Sequence, residues 1–338
     1  MKAENNNTLK KNNNTSTSDF NELKTFLKYC NDRRIEDLFK NHKIRFTQPW
    51  ALNDPLEFNP ILRFKNNGQN YVRYLFDDVL LPSEEDRLRM RLIEQQINQF
   101  GILSLTKIPD SFDMWSRYAN GHKGFLLEFK SNFNEYSCMS SQENKKYPAK
   151  KVTYVDEYAI DIDLLTDIQS NISLERFNEE MFYNKVSRWK SEVEYRLVRA
   201  LTDHPDYQPL KNTPHRDDER YLFNFDLNCI ESVVFGACMS AENKKIIMSL
   251  CKEYSIKFGQ AYISRDKKDT EGFTGKVDII PANERLLEMS DFNFFLQQEH
   301  LARPKPKKIN QLSELPYYQG VEEWVEEVYR IKKAKRGG

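Results

Sequence analysis

Two glutamates separated by a single valine stand in the phrase Trp189-Lys190-Ser191-Glu192-Val193-Glu194-Tyr195-Arg196. Side chains two residues apart share one face of an extended chain, so a strand opening here would present both carboxylates together. Paired carboxylates serve general acid–base catalysis or hold hard cations. Three further phrases set polar side chains among aromatics: Lys28-Tyr29, Leu52-Asn53-Asp54-Pro55-Leu56-Glu57, and Leu103-Ser104-Leu105-Thr106 continuing to Met114-Trp115-Ser116-Arg117-Tyr118-Ala119-Asn120-Gly121-His122-Lys123-Gly124. Asp54, Glu57, Glu192 and Glu194 supply enough oxygens for one or two Mg²⁺ ions, the requirement of a metal-dependent nuclease. The lysine of a D…E-x-K nuclease pattern is missing, because Glu192-Val193 is followed by Glu194.

Each of these residues also has a plainer use. Glu192 and Glu194 on a surface strand would pair with Arg196 or Lys190. Trp115 and Tyr118, three apart, suit a core-facing helical stripe. Asn53-Asp54-Pro55 is a turn signature in its own right. His122, flanked by Gly121 and by Lys123-Gly124, suits a loop. No Walker loop, H-E-x-x-H, G-x-S-x-G or Rossmann glycine fingerprint occurs in the sequence.

The elements that must carry these phrases follow from composition and periodicity. The chain has 338 residues, 39% apolar and 13% aromatic, with 51 basic against 51 acidic side chains. Its mean hydropathy is −0.76, yet the aromatic content is far above that of disordered chains, so most of it should fold. No run approaches the roughly 20 apolar residues that span a bilayer. The N-terminus has no apolar signal region, and a cytoplasmic location is expected. The five cysteines are odd in number, scattered and without C-x-x-C spacing, which suits reduced, buried thiols rather than a disulfide frame or zinc site.

Residues 1–20, with six asparagines and a Ser/Thr run, read as a disordered tail. Residues 21–285 read as a single α+β domain of catalytic type. Asn31 or Asp32 should cap a short helix bearing Ile35, Leu38 and Phe39, followed by a strand over 44–47. Ser83 with Asp86 opens a helix to about Gln99. Strands are expected over 102–107, 124–129, 151–155, 194–201, 230–235 and 258–263, with helices over 174–189 and 241–254. The expected architecture is α+β with a mixed, mainly antiparallel sheet core, helical insertions and a C-terminal helix, rather than a doubly wound sheet.

Residues 286–338 form a basic linker and an amphipathic helix over 316–336. Val321, Trp324, Val325 and Val328 fall on one face, four glutamates on the other, and a basic cluster at the end. Residues 301–338 carry nine basic and five acidic side chains, whereas 21–300 carry 39 and 44. A basic arm on an acidic body should either fold back onto it or meet an anionic partner; membrane association is not expected.

The four phrases, in order, resemble a bacterial domain-of-unknown-function family numbered 2971. Its members share a K-Y start, N-D-P-x-E, M-W-x-x-Y-A-x-x-H-x-G and a later E-x-E-Y-R. The resemblance runs over about residues 25–265 and implies no activity by itself. A second resemblance, to ADP-ribosyltransferases, rests on three ordered elements: Lys28-Tyr29 on an early strand, Ser104-Leu105-Thr106 on a middle one, and Glu192-Val193-Glu194 opening a late one. The first element departs from that family by having Lys in place of Arg or His. This second resemblance implies that NAD is the substrate and that ADP-ribose passes to a protein, nucleic acid or small-molecule acceptor, in the setting of a toxin or phage-defence effector. It further implies that Glu194 stabilises the ribosyl cation, that Glu192 orients or deprotonates the acceptor, and that Tyr118 or Trp115 stacks the nicotinamide. Lys28, Tyr29, Ser104, Thr106 and Arg196 would complete the NAD site. A non-enzymatic interaction or regulatory protein, binding its partner through the terminal helix and the aromatic cleft, is the other expectation.

Overall fold

A computed structural model describes residues 25–54, 57–58, 60–66, 69–74, 99–133, 149–163, 171–206, 221–265 and 275–282. The tail 1–20, the helix expected over 83–99 and the C-terminal helix 316–336 lie outside the described residues.

The described strands are, in chain order, β1 (Leu27–Cys30), β2 (Lys43–Arg45), β3 (Ile61–Asn66), β4 (Gln69–Tyr74), β5 (Phe100–Leu105), β6 (Phe125–Phe129), β7 (Lys150–Lys151) and β8 (Thr153–Val155). They continue with β9 (Ala159–Asp163), β10 (Asn184–Val186), β11 (Tyr195–Ala200), β12 (Leu222–Asn224), β13 (Ile230–Phe235), β14 (Lys257–Arg265) and β15 (Gly275–Pro281). Three α-helices lie among the described residues: α1 (Phe112–Tyr118), α2 (Asn171–Tyr183) and α3 (Ala241–Leu250). The fold is α+β with mixed, mostly antiparallel sheets.

The main sheet runs β1-β6-β13-β14-β15. Its pairings are antiparallel except β13 with β14, which α3 joins as the strand–helix–strand unit that the sequence marks. Ser240 caps α3 by accepting from Asn243 N. All five residues of β6 are buried, as expected of a strand covered on both faces. A second sheet, β5-β11-β7, is antiparallel, with Arg196 opposite Ser104 in the six-pair ladder of β5 and β11.

The two sheets meet at a corner. Leu27 N donates to Thr106 O and Thr106 N to Leu27 O, both at 2.8 Å, so the start of β1 joins the residue that follows β5. The corner lets Lys28 on one sheet and Ser104 on the other face one space. The larger core cluster lies against both sheets and includes Phe39, Phe46, Phe125, Phe129, Leu197, Phe235 and Phe258.

Two local expectations change. The helix expected over 174–189 stops at Tyr183. The chain then forms β10, parallel to β8, and a 3-10 helix (Ser187–Glu192). The short helix after β1 is a 3-10 turn (Asp32–Arg34), capped by Asn31, running into a π turn (Glu36–Lys40). Trp115 and Tyr118 lie on α1, which begins where the Ser111 side chain accepts from Met114 N.

Candidate functional site

A cleft of about 280 Å³ opens beside the corner. Its lining brings the basic Lys28, Arg34, Lys43 and Arg45 together with the acidic Glu57, Glu192 and Glu194 and with Tyr118, Lys185 and Trp189; Asp37, also in the lining, pairs with Arg34. Ser104 and Thr106 line it from β5 and its end. Lys28, Tyr29, Ser104, Thr106, Tyr118, Glu192 and Glu194, which stand far apart in sequence, therefore share one space.

The two glutamates converge by a route the sequence does not reveal. They are not neighbours on a pleated strand. Glu192 ends the 3-10 helix, Val193 has φ 44° and ψ 53°, and Glu194 immediately precedes β11. A left-handed conformation is costly for a β-branched residue and marks a position held by its surroundings. Its consequence is that both carboxylates reach the same ammonium. Lys185 Nζ stands 3.0 Å from Glu192 Oε2 and 2.7 Å from Glu194 Oε2. Both glutamates are buried, at 4% and 5% exposure, so the expectation of a charged surface strand is overturned.

Around this pair the bonds are dense. Tyr118 Oη donates to Glu192 Oε1 at 2.7 Å, and Thr106 Oγ1 donates to the Glu192 backbone carbonyl at the same length. Glu194 N donates to Tyr154 Oη at 2.8 Å. Arg196 Nε donates to Glu194 Oε1 at 2.9 Å, Nη1 donates to Phe182 O, and Nη2 pairs with Glu57. Lys185 Nζ also lies 3.5 Å from Glu57 Oε1. Three carboxylates thus share two buried cations, with Arg117 Nη1 a further 4.0 Å from Glu192 Oε1.

The electrostatics follow burial first. Burial pushes the Glu194 carboxyl above the usual carboxylate range, and Lys185 and the Ser104 hydroxyl oppose that rise. Burial alone would lower the Lys185 ammonium, but Glu194 and Glu192 outweigh it and hold the ammonium above the ordinary lysine value. The Tyr118 phenol is raised by burial and by Glu192, so it remains a donor. Burial lowers Lys28, which also feels Arg34 and Arg45 on one side and Glu194 on the other. Its Nζ donates to Ser104 O at 3.3 Å.

The Asn53-Asp54-Pro55-Leu56-Glu57 phrase does more than turn the chain. Glu57 N donates to Asp54 O. Asp54 accepts from Arg188 Nη2 and from Trp189 Nε1, while Glu57 reaches Arg196 and Lys185. Its two acids therefore pin both ends of the 187–196 segment. The four carboxylates considered as Mg²⁺ ligands are each ion-paired, and no group of three His, Cys, Asp or Glu among the described residues is arranged to hold a metal.

Two expected ligand contacts are corrected. Trp115 is fully buried, packs edge-on against Tyr29 and donates through Nε1 to Pro109 O, so its ring is core and Tyr118 alone of the pair lines the cleft. Arg196 is also fully buried; its guanidinium is committed to Glu194, Glu57 and a carbonyl beneath the cleft and is not placed for phosphate. His122, expected on a loop, has φ 65° but is buried, its ring nearly parallel to Trp115. Lys185, Tyr154 and Trp189 are the site residues that sequence reasoning missed. A lone lysine between Asn184 and Val186 bears no mark of burial.

Among comparisons with known proteins, a family described as a protein of unknown function (DUF2971) matches residues 114–197. That span carries Tyr118, Lys185, Glu192, Glu194 and Arg196, but not Lys28, Asp54, Glu57, Ser104 or Thr106. No curated protein and no solved structure matches the chain. The comparisons thus connect the central segment of the cleft, and no named activity, to a known family.

Proposed function

We propose that the cleft takes NAD and breaks its nicotinamide–ribose bond, passing ADP-ribose to an acceptor. The observation that carries this reading is the meeting of basic side chains and clustered carboxylates in one cleft lining. Lys28, Arg34, Lys43 and Arg45 suit a diphosphate, and the carboxylates of Glu57, Glu192 and Glu194, fixed by Lys185 and Arg196, suit a ribosyl cation. The cleft volume, about 280 Å³, suits a ribose with one attached ring.

The chemistry has two halves. The C1′–N bond breaks with its electron pair going to nicotinamide, which leaves neutral, and positive charge builds on C1′ as in glycoside hydrolysis. Glu194, immobilised by Lys185 and Arg196, would face that charge without reorganising. A lone pair of the acceptor then forms the new bond to C1′, and the acceptor's proton passes to a base. Glu192, held by Tyr118 and Lys185, is the carboxylate assigned to that base. Tyr118 would lie against the nicotinamide.

Binding is the first test. Saturation-transfer NMR of the full chain with NAD should show transfer to nicotinamide and ribose protons. ADP-ribose should compete, and Lys28→Ala should weaken both ligands. Absence of transfer from the wild-type chain to NAD at millimolar ligand would end the proposal.

A further inference from the structure

Lys185 is one ammonium among three carboxylates, and no motif or family description gives it a role. We infer that Lys185 is a positioning residue, an internal clamp that holds Glu192 and Glu194 convergent across the left-handed Val193. The inference rests on the proposed reaction only for its kinetic consequences; the clamp itself is a statement about geometry and charge.

The geometry is specific. An ammonium offers three protons. Two are directed at Glu192 Oε2 and Glu194 Oε2, at 3.0 and 2.7 Å, and Glu57 Oε1 lies at 3.5 Å. Trp189 covers the same ammonium, its ring centroid 5.3 Å from Nζ. Lys185 sits at the centre of β10, whose parallel pairing places it opposite Tyr154, and Tyr154 Oη in turn accepts from Glu194 N. The charged and titratable groups around the pair are Lys28 from β1, Tyr118 and Arg117 from α1, Tyr154 from β8, Arg196 from β11, and Glu57. Arg196 reaches Glu194 and Glu57, so Glu192 has Lys185 as its close cation, with Arg117 Nη1 at 4.0 Å. Removing Lys185 would leave three carboxylates to one buried cation, and Glu194, whose carboxyl burial already raises, would lose the ammonium that opposes that rise.

Lys185→Met keeps the length and removes the charge, whereas Lys185→Arg keeps the charge. With glutamate labelled at the side-chain carboxyl carbon, ¹³C NMR of the full chain should show a Glu194 signal whose titration midpoint rises by about one pH unit or more in Lys185→Met, the equivalent of tenfold in the proton equilibrium. Lys185→Arg should restore it, and assignment by Glu194→Gln identifies the signal. In nicotinamide release from NAD, Lys185→Met should lower kcat about tenfold or more at neutral pH with KM little changed, and move the acidic limb upward. An unmoved Glu194 midpoint in folded Lys185→Met overturns the clamp, as does an equal loss in kcat and KM with an unshifted pH profile. If Lys185→Met does not fold, ¹⁵N-lysine NMR of the wild type decides. A Lys185 ammonium still protonated after the exposed lysines have titrated supports the clamp; one that titrates with them overturns it. Should the wild type release no nicotinamide, the NAD reading fails while the carboxyl titration still judges the clamp.

Discussion

The phenol of Tyr118 donates a 2.7 Å hydrogen bond to Glu192 across 74 residues of sequence. It ties the helix of the M-W-x-x-Y-A phrase to the E-x-E phrase, so two separately recognisable motifs are halves of one site. Tyr118→Phe removes the donor and leaves a buried carboxylate oxygen less satisfied. Urea denaturation should show a loss of about 1.5–3 kcal/mol, the usual range for a bond to a charged group. Unchanged stability would mean that water or Arg117 replaces the phenol at no cost.

Val193 tests the backbone origin of the convergent carboxylates. Its φ of 44° is open to glycine and closed to proline, which is fixed near −65°. Val193→Gly should fold and lie within about 1 kcal/mol of wild type, relief of strain offsetting chain entropy and lost side-chain contact. Val193→Pro should lose about 3 kcal/mol or more. Equal stability of the two variants in thermal or urea unfolding would contradict the left-handed assignment.

Glu128 is a second buried carboxyl, on β6, accepting from Thr25 Oγ1 and Ser232 Oγ, both at 2.7 Å. Burial raises its carboxyl above the usual range. The folded state therefore binds this proton more tightly than the unfolded one, and Glu128 contributes a destabilisation that grows as pH rises above the ordinary carboxylate value. Glu128→Gln should thus gain stability relative to wild type at pH 7, with the gain shrinking towards pH 4. Paired urea curves at the two pH values measure it, and a gain independent of pH would contradict the cause given.

His122 gives the opposite slope. Its ring packs against Phe112 and Trp115, neither nitrogen has a hydrogen-bond partner among the described residues, and burial lowers its pKa to about 4. The unfolded chain binds a proton first as pH falls through the ordinary histidine value, so this contribution to stability is intact at neutral pH and is lost down to about pH 4. His122→Phe should flatten the stability profile in that window. A profile as steep as wild type would place the loss elsewhere.

Much of the scaffold is legible from sequence because its signals are local. The strand–helix–strand unit of β13, α3 and β14 announces itself by an apolar run, the Gly236-Ala237-Cys238 turn and the helix that follows. The strand β11 is equally plain, from its β-branched and apolar residues. Lys28, Thr106, Tyr118 and Glu194 can be marked as polar residues set among aromatics, and the corner between β1 and β5 brings them together.

What sequence hides is decided by tertiary contact. A three-residue strand such as β10 is too short for a periodic signal, so Lys185 reads as part of a helix. The left-handed Val193 violates local preference and is held by the bonds around Glu192 and Glu194. Trp115 and Tyr118 look equivalent three apart, yet one packs on Tyr29 and the other turns to the cleft. Arg196 invites assignment to phosphate, and only the three-dimensional arrangement shows Glu57 and Glu194 waiting beneath it.

Nicotinamide release from NAD by the full chain, wild type against Glu194→Gln, tests the central claim most directly. Release by the wild type, reduced about 100-fold or more by the substitution while NAD binding persists, is the expected result for a carboxylate that acts on the ribosyl cation. NAD left intact by the wild type with cell lysate supplying acceptors, or release undiminished in Glu194→Gln, would contradict it.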